Sequence, residues 1–335
     1  MLILGIETSC DETGCAILKK YGNRITILSN VVASSAQLQA KYGGVIPEQA
    51  AREQIKAIIP VIEETLRQAQ CKPDGLDAIA VTYGPGLIGS LLVGVETAKT
   101  LALIWDKPLI PINHLLGHFY ANFIQVPSSK LQVPIFPCIG LLISGGHTDL
   151  VLFTNHGKYV YLGGTRDDAA GECFDKCARL LGLPYPGGPH ISKLAQKGNP
   201  AKFKLPIPMK NSKDLDFSYS GLKTSVARIV GSGQVTGNSK QDLAATIEET
   251  IIISLIDKLL LASKIYTVEQ IMVAGGVAAN KKLNEKIIKF FPCHRIFIPP
   301  ANLCTDNGAM IATAGFFQKP IKNPFNLQAD PNLSL

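Results

Sequence analysis

His114 and His118 stand four residues apart, just after the short apolar run Leu109 to Ile112. Four residues make about one helical turn, so both imidazoles share a helix face and can chelate one ion. Such a pair needs a third donor before it means a metal. Asp306, in Cys304-Thr305-Asp306-Asn307-Gly308, is the candidate, at the start of the last helix. Two imidazoles and one carboxylate leave coordination positions open, which suits a Lewis acid acting on a carbonyl or binding substrate oxygens. A peptidase of the H-E-x-x-H type is disfavoured, because Leu115 and Leu116 fill the gap in which the general-base Glu should stand.

Three glycine- and hydroxyl-rich turns point to a second chemistry: Glu7 to Gly14, Ser144 to Thr148 and Gly275 to Asn280. Turns of this kind gather backbone N–H groups without side-chain bulk, which is what a phosphate requires. Gly84-Pro85-Gly86-Leu87-Ile88-Gly89 imitates a dinucleotide fingerprint, but the next strand ends in Asn113 and His114 rather than in the acid that would hold a ribose. It also begins like a P-loop, with Ser90 and Leu91 where Lys and Ser or Thr belong. It reads as a tight turn opening a buried helix.

The elements that must carry these residues follow from hydrophobic periodicity. Leu2 to Ile6, Cys15 to Leu18 and Ile25 to Val32 form an antiparallel meander, followed by a helix from Pro47 to Gln70. A strand at Asp77 to Thr82, a helix from Leu87 to Trp105, a strand at Leu109 to Ile112 and a helix from His114 complete the first half. At Ile139 the strand, small-residue turn and strand return, so the chain reads as a duplication. Helices near Gly171 to Leu181 and Gln241 to Lys264, a strand at Gln270 to Ala274, a helix from Ala279, a strand at Arg295 to Ile298 and a helix from Thr305 to Phe317 follow, before a weakly structured tail.

The 335 residues suit two domains of ~150 residues each. With 46% hydrophobic and 18% charged residues the chain is well cored, and its longest apolar stretches are broken by charges, so it reads as soluble, without a membrane span. The N-terminus enters a strand at once, which leaves no room for a secretory signal. Eight scattered cysteines without a C-x-x-C pair fit a reducing cytoplasm or organelle interior, of which the cytoplasmic setting is the expectation. Between Lys193 and Lys223 seven lysines face only Asp214 and Asp216, with Phe203, Phe217 and Tyr219 among them. This reads as an extended basic loop with aromatics, either a nucleic-acid contact or merely a soluble loop.

Ten segments, in order, resemble the TsaD/YgjD group of tRNA N6-adenosine threonylcarbamoyltransferases, once called O-sialoglycoprotein endopeptidases. They are Gly5 to Thr13, Tyr42 to Glu48, Gly84 to Gly94, His114 to His118, Leu142 to Thr148, Asp167 to Lys176, Tyr185 to Pro189, Asp216 to Thr224, Ala274 to Asn280 and Cys304 to Met310. The resemblance implies an α/β, duplicated actin-like ATPase fold, as in sugar kinases, Hsp70 and actin, with two lobes around a nucleotide cleft. The first lobe would be residues 1–137, rejoined by 305–335, and the second 138–304. Carried over by position, the metal ligands would be His114, His118 and Asp306, holding one divalent ion, with Fe(2+) ahead of Zn(2+) or Mg(2+). Leu142, Ile143, Ser144, Gly145, Gly146, Asp175, Gly188 and Asn280 would bind threonylcarbamoyl-AMP, and Asp11 and Glu12 would orient the attacking amine or take its proton. The group further implies tRNA as acceptor, an inactive paralogous subunit (TsaB-like) and a small P-loop ATPase (TsaE-like) as partners.

Overall fold

Apolar runs separated by short polar turns pair with their neighbours, and the chain opens as β1 (Leu2–Glu7), β2 (Glu12–Tyr21) and β3 (Arg24–Ser34), antiparallel in that order. After α1 (Ala36–Ala40) comes α2 (Pro47–Gln68), which begins on Pro47, where a missing N–H costs nothing. β4 (Ala78–Gly84) then joins β1 in parallel, α3 (Ile88–Ile104) follows, and β5 (Leu109–Asn113) adds parallel to β4. α4 (His114–Tyr120) starts directly after β5. The computed structural model describes residues 1–125, 133–237 and 239–335.

The second sheet repeats this plan. β6 (Cys138–Ile143), β7 (Thr148–Asn155) and β8 (Lys158–Gly164) form an antiparallel meander. Helices α5 (Ala170–Leu180), α6 (Gly187–Ala195), α7 (Ser220–Gly231) and α8 (Ser239–Tyr266) precede β9 (Gln270–Ala274), α9 (Lys281–Phe290) and β10 (Arg295–Phe297). The sheet orders are β3-β2-β1-β4-β5 and, read from the other edge, β8-β7-β6-β9-β10. Strand for strand and direction for direction these are one topology, so the duplication read from Ile139 is present in the fold. The chain divides into unit 1, Met1–Pro134 with Asn302–Leu335, and unit 2, Ile135–Ala301.

In unit 1 the core joins Leu4, Ile6, Ile17, Ile79 and Val81 of the sheet to Ile58, Val61 and Ile62 of α2 and Val95 and Ala98 of α3. The last helix is not continuous from Thr305. It is α10 (Ala301–Cys304), a turn, and α11 (Gly308–Gly315), with Asp306 in the turn. Asn307 breaks the helix, because its side chain accepts the Met310 N–H at 3.0 Å as the N-cap of α11. α11 lies backbone against backbone on β1 and β2: a Cβ on Gly308 would come 2.5 Å from Ala16 N, and one on Gly5 would come 2.3 Å from Gly308 O. Only glycine permits that approach, and it fixes where Asp306 stands.

Three further expectations change. α3 is buried on one side only, with Leu91, Val95 and Ala98 inside while Ile88, Leu92, Leu103 and Ile104 are exposed. Phe217 and Tyr219 are buried in unit 2 and offer no stacking surface, although Lys193, Lys197, Lys202, Lys204, Lys210 and Lys213 are exposed around largely irregular backbone. The tail is irregular but tied down: Asp330 N–H donates to Tyr83 O at 2.7 Å, Gly86 N–H to Pro331 O at 3.3 Å, and Asn113 Nδ2 to Ser334 O at 3.0 Å.

Candidate metal centre and ligand loops

The candidate metal centre is assembled at the carboxyl ends of the parallel strands β1, β4 and β5, where α/β sheets place their ligands. α4 starts there because Asn113 Oδ1 accepts the N–H groups of Leu115 at 2.8 Å and Leu116 at 3.4 Å. Its first turn then presents His114 and His118 together, with ring centroids 4.7 Å apart. Asp306 comes from the turn before α11. Its Oδ1 lies 3.2 Å from His118 Nε2 and 3.6 Å from His114 Nε2. The three ligand atoms all fall within 4.8 Å of one another.

The donor set fits a divalent ion. His118 is 2% exposed, and neither of its ring nitrogens makes a hydrogen bond. A buried nitrogen without a partner is costly, and an ion held with Asp306 would remove that cost. His114 Nδ1 lies 3.1 Å from Glu7 Oε2. Burial draws the His114 pKa down, but the Glu7 and Asp306 carboxylates outweigh it and raise it to about 9, so the site favours a cation even without a metal. The sequence reading passed over Glu7. Its signal was a carboxylate closing a fully apolar strand, where it must find partners.

Asp11 and Glu12 follow β1 in the same unit, and their side chains hydrogen-bond each other. Glu12 Oε1 accepts from Ser34 Oγ at 3.0 Å, and burial together with the nearby Asp11 and Asp306 carboxylates pushes its pKa up to about 9. Asp11 lines a cavity of about 390 Å³ with Thr13, Ser34, Ser35, Lys41 and Gln54. Gln54 fastens this loop from α2, its Nε2 donating to Glu12 O at 2.8 Å and Cys10 O at 3.1 Å, while Ser90 Oγ donates to Cys10 O at 2.8 Å.

The candidate adenylate residues all lie in unit 2. Leu142 and Ile143 are the buried end of β6. Ser144 closes the following turn, its N–H donating to His147 O at 2.9 Å and its Oγ accepting the His147 N–H at 3.1 Å. Gly145 and Gly146 project from it, exposed, and a Cβ on either would meet nothing within 4 Å. Asp175 Oδ1 accepts the Gly187 N–H at 2.7 Å and so fixes the turn that carries Gly188. Asn280 caps α9 through the Leu283 N–H, and its Nδ2 donates to Ser192 Oγ at 3.0 Å and to Glu248 Oε1 at 2.8 Å. Its side chain is thus engaged within the protein, and it sets the loop between β9 and α9. Gly276 in that loop also has open space at its Cβ position.

Asp149 follows the Ser144 turn and supplies a test of this environment. It is 7% exposed, and burial raises its pKa to about 6 against the pull of the Tyr161 hydroxyl, which donates to it at 3.1 Å. A carboxyl raised in the fold contributes stability that is complete below the ordinary carboxyl range and is lost as pH rises through 6. Asp149→Asn should therefore raise Tm at pH 8 by about 2–4 °C, the shift that ~1 kcal/mol produces in a domain of this size. At pH 4 it should change nothing. Equal gains at both values would trace the effect to packing instead.

Residues 26–313 match the family model described as TsaD, tRNA N6-adenosine threonylcarbamoyltransferase. The chain belongs to this family. Proteins carrying that name are 48% identical in Desulfitobacterium hafniense, over 99% of this chain and 97% of that protein, and 45% identical in Bacillus subtilis, over 100% and 96%. The one from Thermomicrobium roseum is 45% identical over 100% and 97%. Among solved structures, component A of (R)-2-hydroxyglutaryl-CoA dehydratase from Acidaminococcus fermentans aligns at TM-score 0.53 and 18% identity, covering 94% of this chain and 98% of that one. HypF of T. kodakarensis aligns at TM-score 0.59 and 13% identity, covering 94% and 47%. At such identities these likenesses show the fold alone, the duplicated actin-like architecture. In this threonylcarbamoyltransferase family member the His114, His118 and Asp306 group could bind a metal ion. No helix among the described residues is long and apolar enough to cross a membrane.

Proposed function

We propose that this chain transfers the threonylcarbamoyl group from threonylcarbamoyl-AMP to the N6 amine of adenosine 37 in tRNAs that read codons beginning with adenine, releasing AMP. The observation that carries the reading is the convergence of His114, His118 and Asp306 in a chain of this family. The amine attacks the carbamoyl carbon, the bond from that carbon to the phosphate oxygen breaks, AMP leaves, and the amine gives up a proton. An adenine amine is a weak nucleophile, so the site must orient the carbonyl and make it electrophilic.

A divalent ion, Fe(2+) in our reading, held by the two imidazoles and Asp306, would supply Lewis-acid polarisation with open positions for substrate oxygens. Leu142 to Gly146 and Gly188 hold the AMP portion, with Asp175 and Asn280 fixing the turns around it. Asp11 is our choice of the two loop acids to accept the amine proton, because it lines the cavity. Glu12 keeps that loop in place. The exposed Ile55 and Ile59 of α2 and Ile88 and Leu92 of α3, beside the Gly89–Ala51 contact of the two helices, leave an apolar face that supports a partner subunit, here the TsaB-like paralogue. A TsaE-like ATPase and a cytoplasmic setting complete the reading.

Single turnover of threonylcarbamoyl-AMP on unmodified tRNA, with purified protein and partner subunits, tests the proposal. Formation of modified adenosine is expected, and its absence with active partners would remove the transferase reading. For the tRNA contact, charge reversal at Lys202, Lys204 and Lys210 should weaken tRNA binding and reduce the slope of log affinity against log salt by up to about 3. An unchanged slope would move the tRNA elsewhere.

A further inference from the structure

We propose that Glu7 is a positioning residue of the metal centre, its buried carboxylate fixing His114 in the tautomer whose Nε2 lone pair faces Asp306 and His118. The inference rests on reading those three residues as metal ligands, and it adds one that touches no metal. Glu7 closes β1, fully buried, and its carboxylate is bonded from three sides. The Ser9 N–H donates to Oε1 at 2.6 Å, the Thr82 hydroxyl donates to Oε2, and His114 Nδ1 lies 3.1 Å from the same Oε2. Two of these donors hold the carboxylate independently of His114, so its direction is set by β1 and β4.

A carboxylate can only accept, so the His114 bond requires the proton on Nδ1. In the neutral ring the lone pair then resides on Nε2, the atom 3.6 Å from Asp306 Oδ1, which itself lies 3.2 Å from His118 Nε2. The opposite tautomer would point an N–H at the ion position and could not ligate. The ring has little room to turn, since it packs edge-on against His118 at an interplanar angle of 78°. A ligating histidine that donates its other N–H to a carboxylate is better oriented and more basic, and loss of such a partner typically costs about 10–100-fold in metal affinity. The strand order explains why Glu7 can serve: β4 lies between β1 and β5, so Thr82 stands beside both Glu7 and the start of α4.

The test is a competition titration of zinc and of cobalt(II) against a chromophoric chelator, on metal-free full-length wild type, Glu7→Gln and Glu7→Asp. Glu7→Gln removes the charge and keeps the shape, whereas Glu7→Asp keeps the charge and withdraws it from Nδ1. Both variants should bind metal about 10–100-fold more weakly. Unchanged affinity in both, whatever happens to Tm, would make Glu7 a structural ion-pair partner and overturn the proposal. Failure of wild type to bind either metal would overturn the metal reading and this inference with it. Should the variants not fold, zinc-loaded wild type labelled with 15N-histidine decides by NMR: His114 should carry its proton on Nδ1 and the metal on Nε2, and the reverse assignment would overturn the proposal.

Discussion

His118→Ala should abolish metal uptake and slow single-turnover transfer by about 10²–10³-fold, the several kcal/mol a Lewis acid contributes to a reacting carbonyl. His118 is a cleaner choice than His114. Removing the His114 ring would leave Glu7 buried without one of its partners, and breaking a buried charged pair costs about 3–5 kcal/mol of stability. Lost activity in that variant would be confounded with unfolding. His118 makes no hydrogen bond, so its replacement removes the ligand, its 3.2 Å approach to Asp306 and ring packing, but strands no buried charge of the Glu7 kind. The measurements are metal content, Tm of the metal-free protein and transfer with verified partner subunits. Full-rate transfer by a metal-free, folded variant would reduce both histidines to packing and end the Lewis-acid account.

Parts of this site are legible in the sequence, and the reason differs from residue to residue. The shared face of His114 and His118 follows from helical geometry alone, because α4 has only to be a helix for it to hold. The duplicated meander was readable at Ile139 because strand, turn and strand recur in kind as well as in order. Asp306 was not readable from spacing. What brings it to His118 is the backbone contact of Gly308 with β2, and glycines in a sequence do not announce which neighbour they admit. Glu7 was visible as a type, a charge closing an apolar strand, but its partners come from β4 and α4 and belong to the tertiary structure. Phe217 and Tyr219 misled for a related reason: aromatics beside lysines have the composition of a stacking surface and of a covered core alike, and burial alone separates them. α3 misled in the opposite sense. A helix whose only charges are Glu96 and Lys99 reads as buried, yet Ile88 and Leu92 are exposed along with them.

Gly146→Ala should leave stability within about 0.5 kcal/mol of wild type and weaken use of the threonylcarbamoyl adenylate by about 10²-fold, as a displacement of roughly 1 Å at a reacting group can. The first half follows from geometry: Gly146 has no left-handed backbone conformation to relieve, it is exposed, and a Cβ would meet no atom within 4 Å. Nothing in the fold asks for glycine there. A ligand would ask for it, because a phosphate or ribose drawn onto the backbone N–H groups of Gly145 and Gly146 would occupy the space the methyl takes. Gly275 supplies the contrast within the same unit. Its φ is +89°, and a Cβ would lie 2.4 Å from Ile143 O, so Gly275→Ala should lower Tm before any substrate is added. The two alanines thus separate glycine kept for the chain from glycine kept for a ligand. If Gly146→Ala turned over the adenylate at the wild-type rate and KM, the Ser144–His147 turn would not touch the substrate, and the AMP portion would have to be sought at the Gly188 turn and at Gly276.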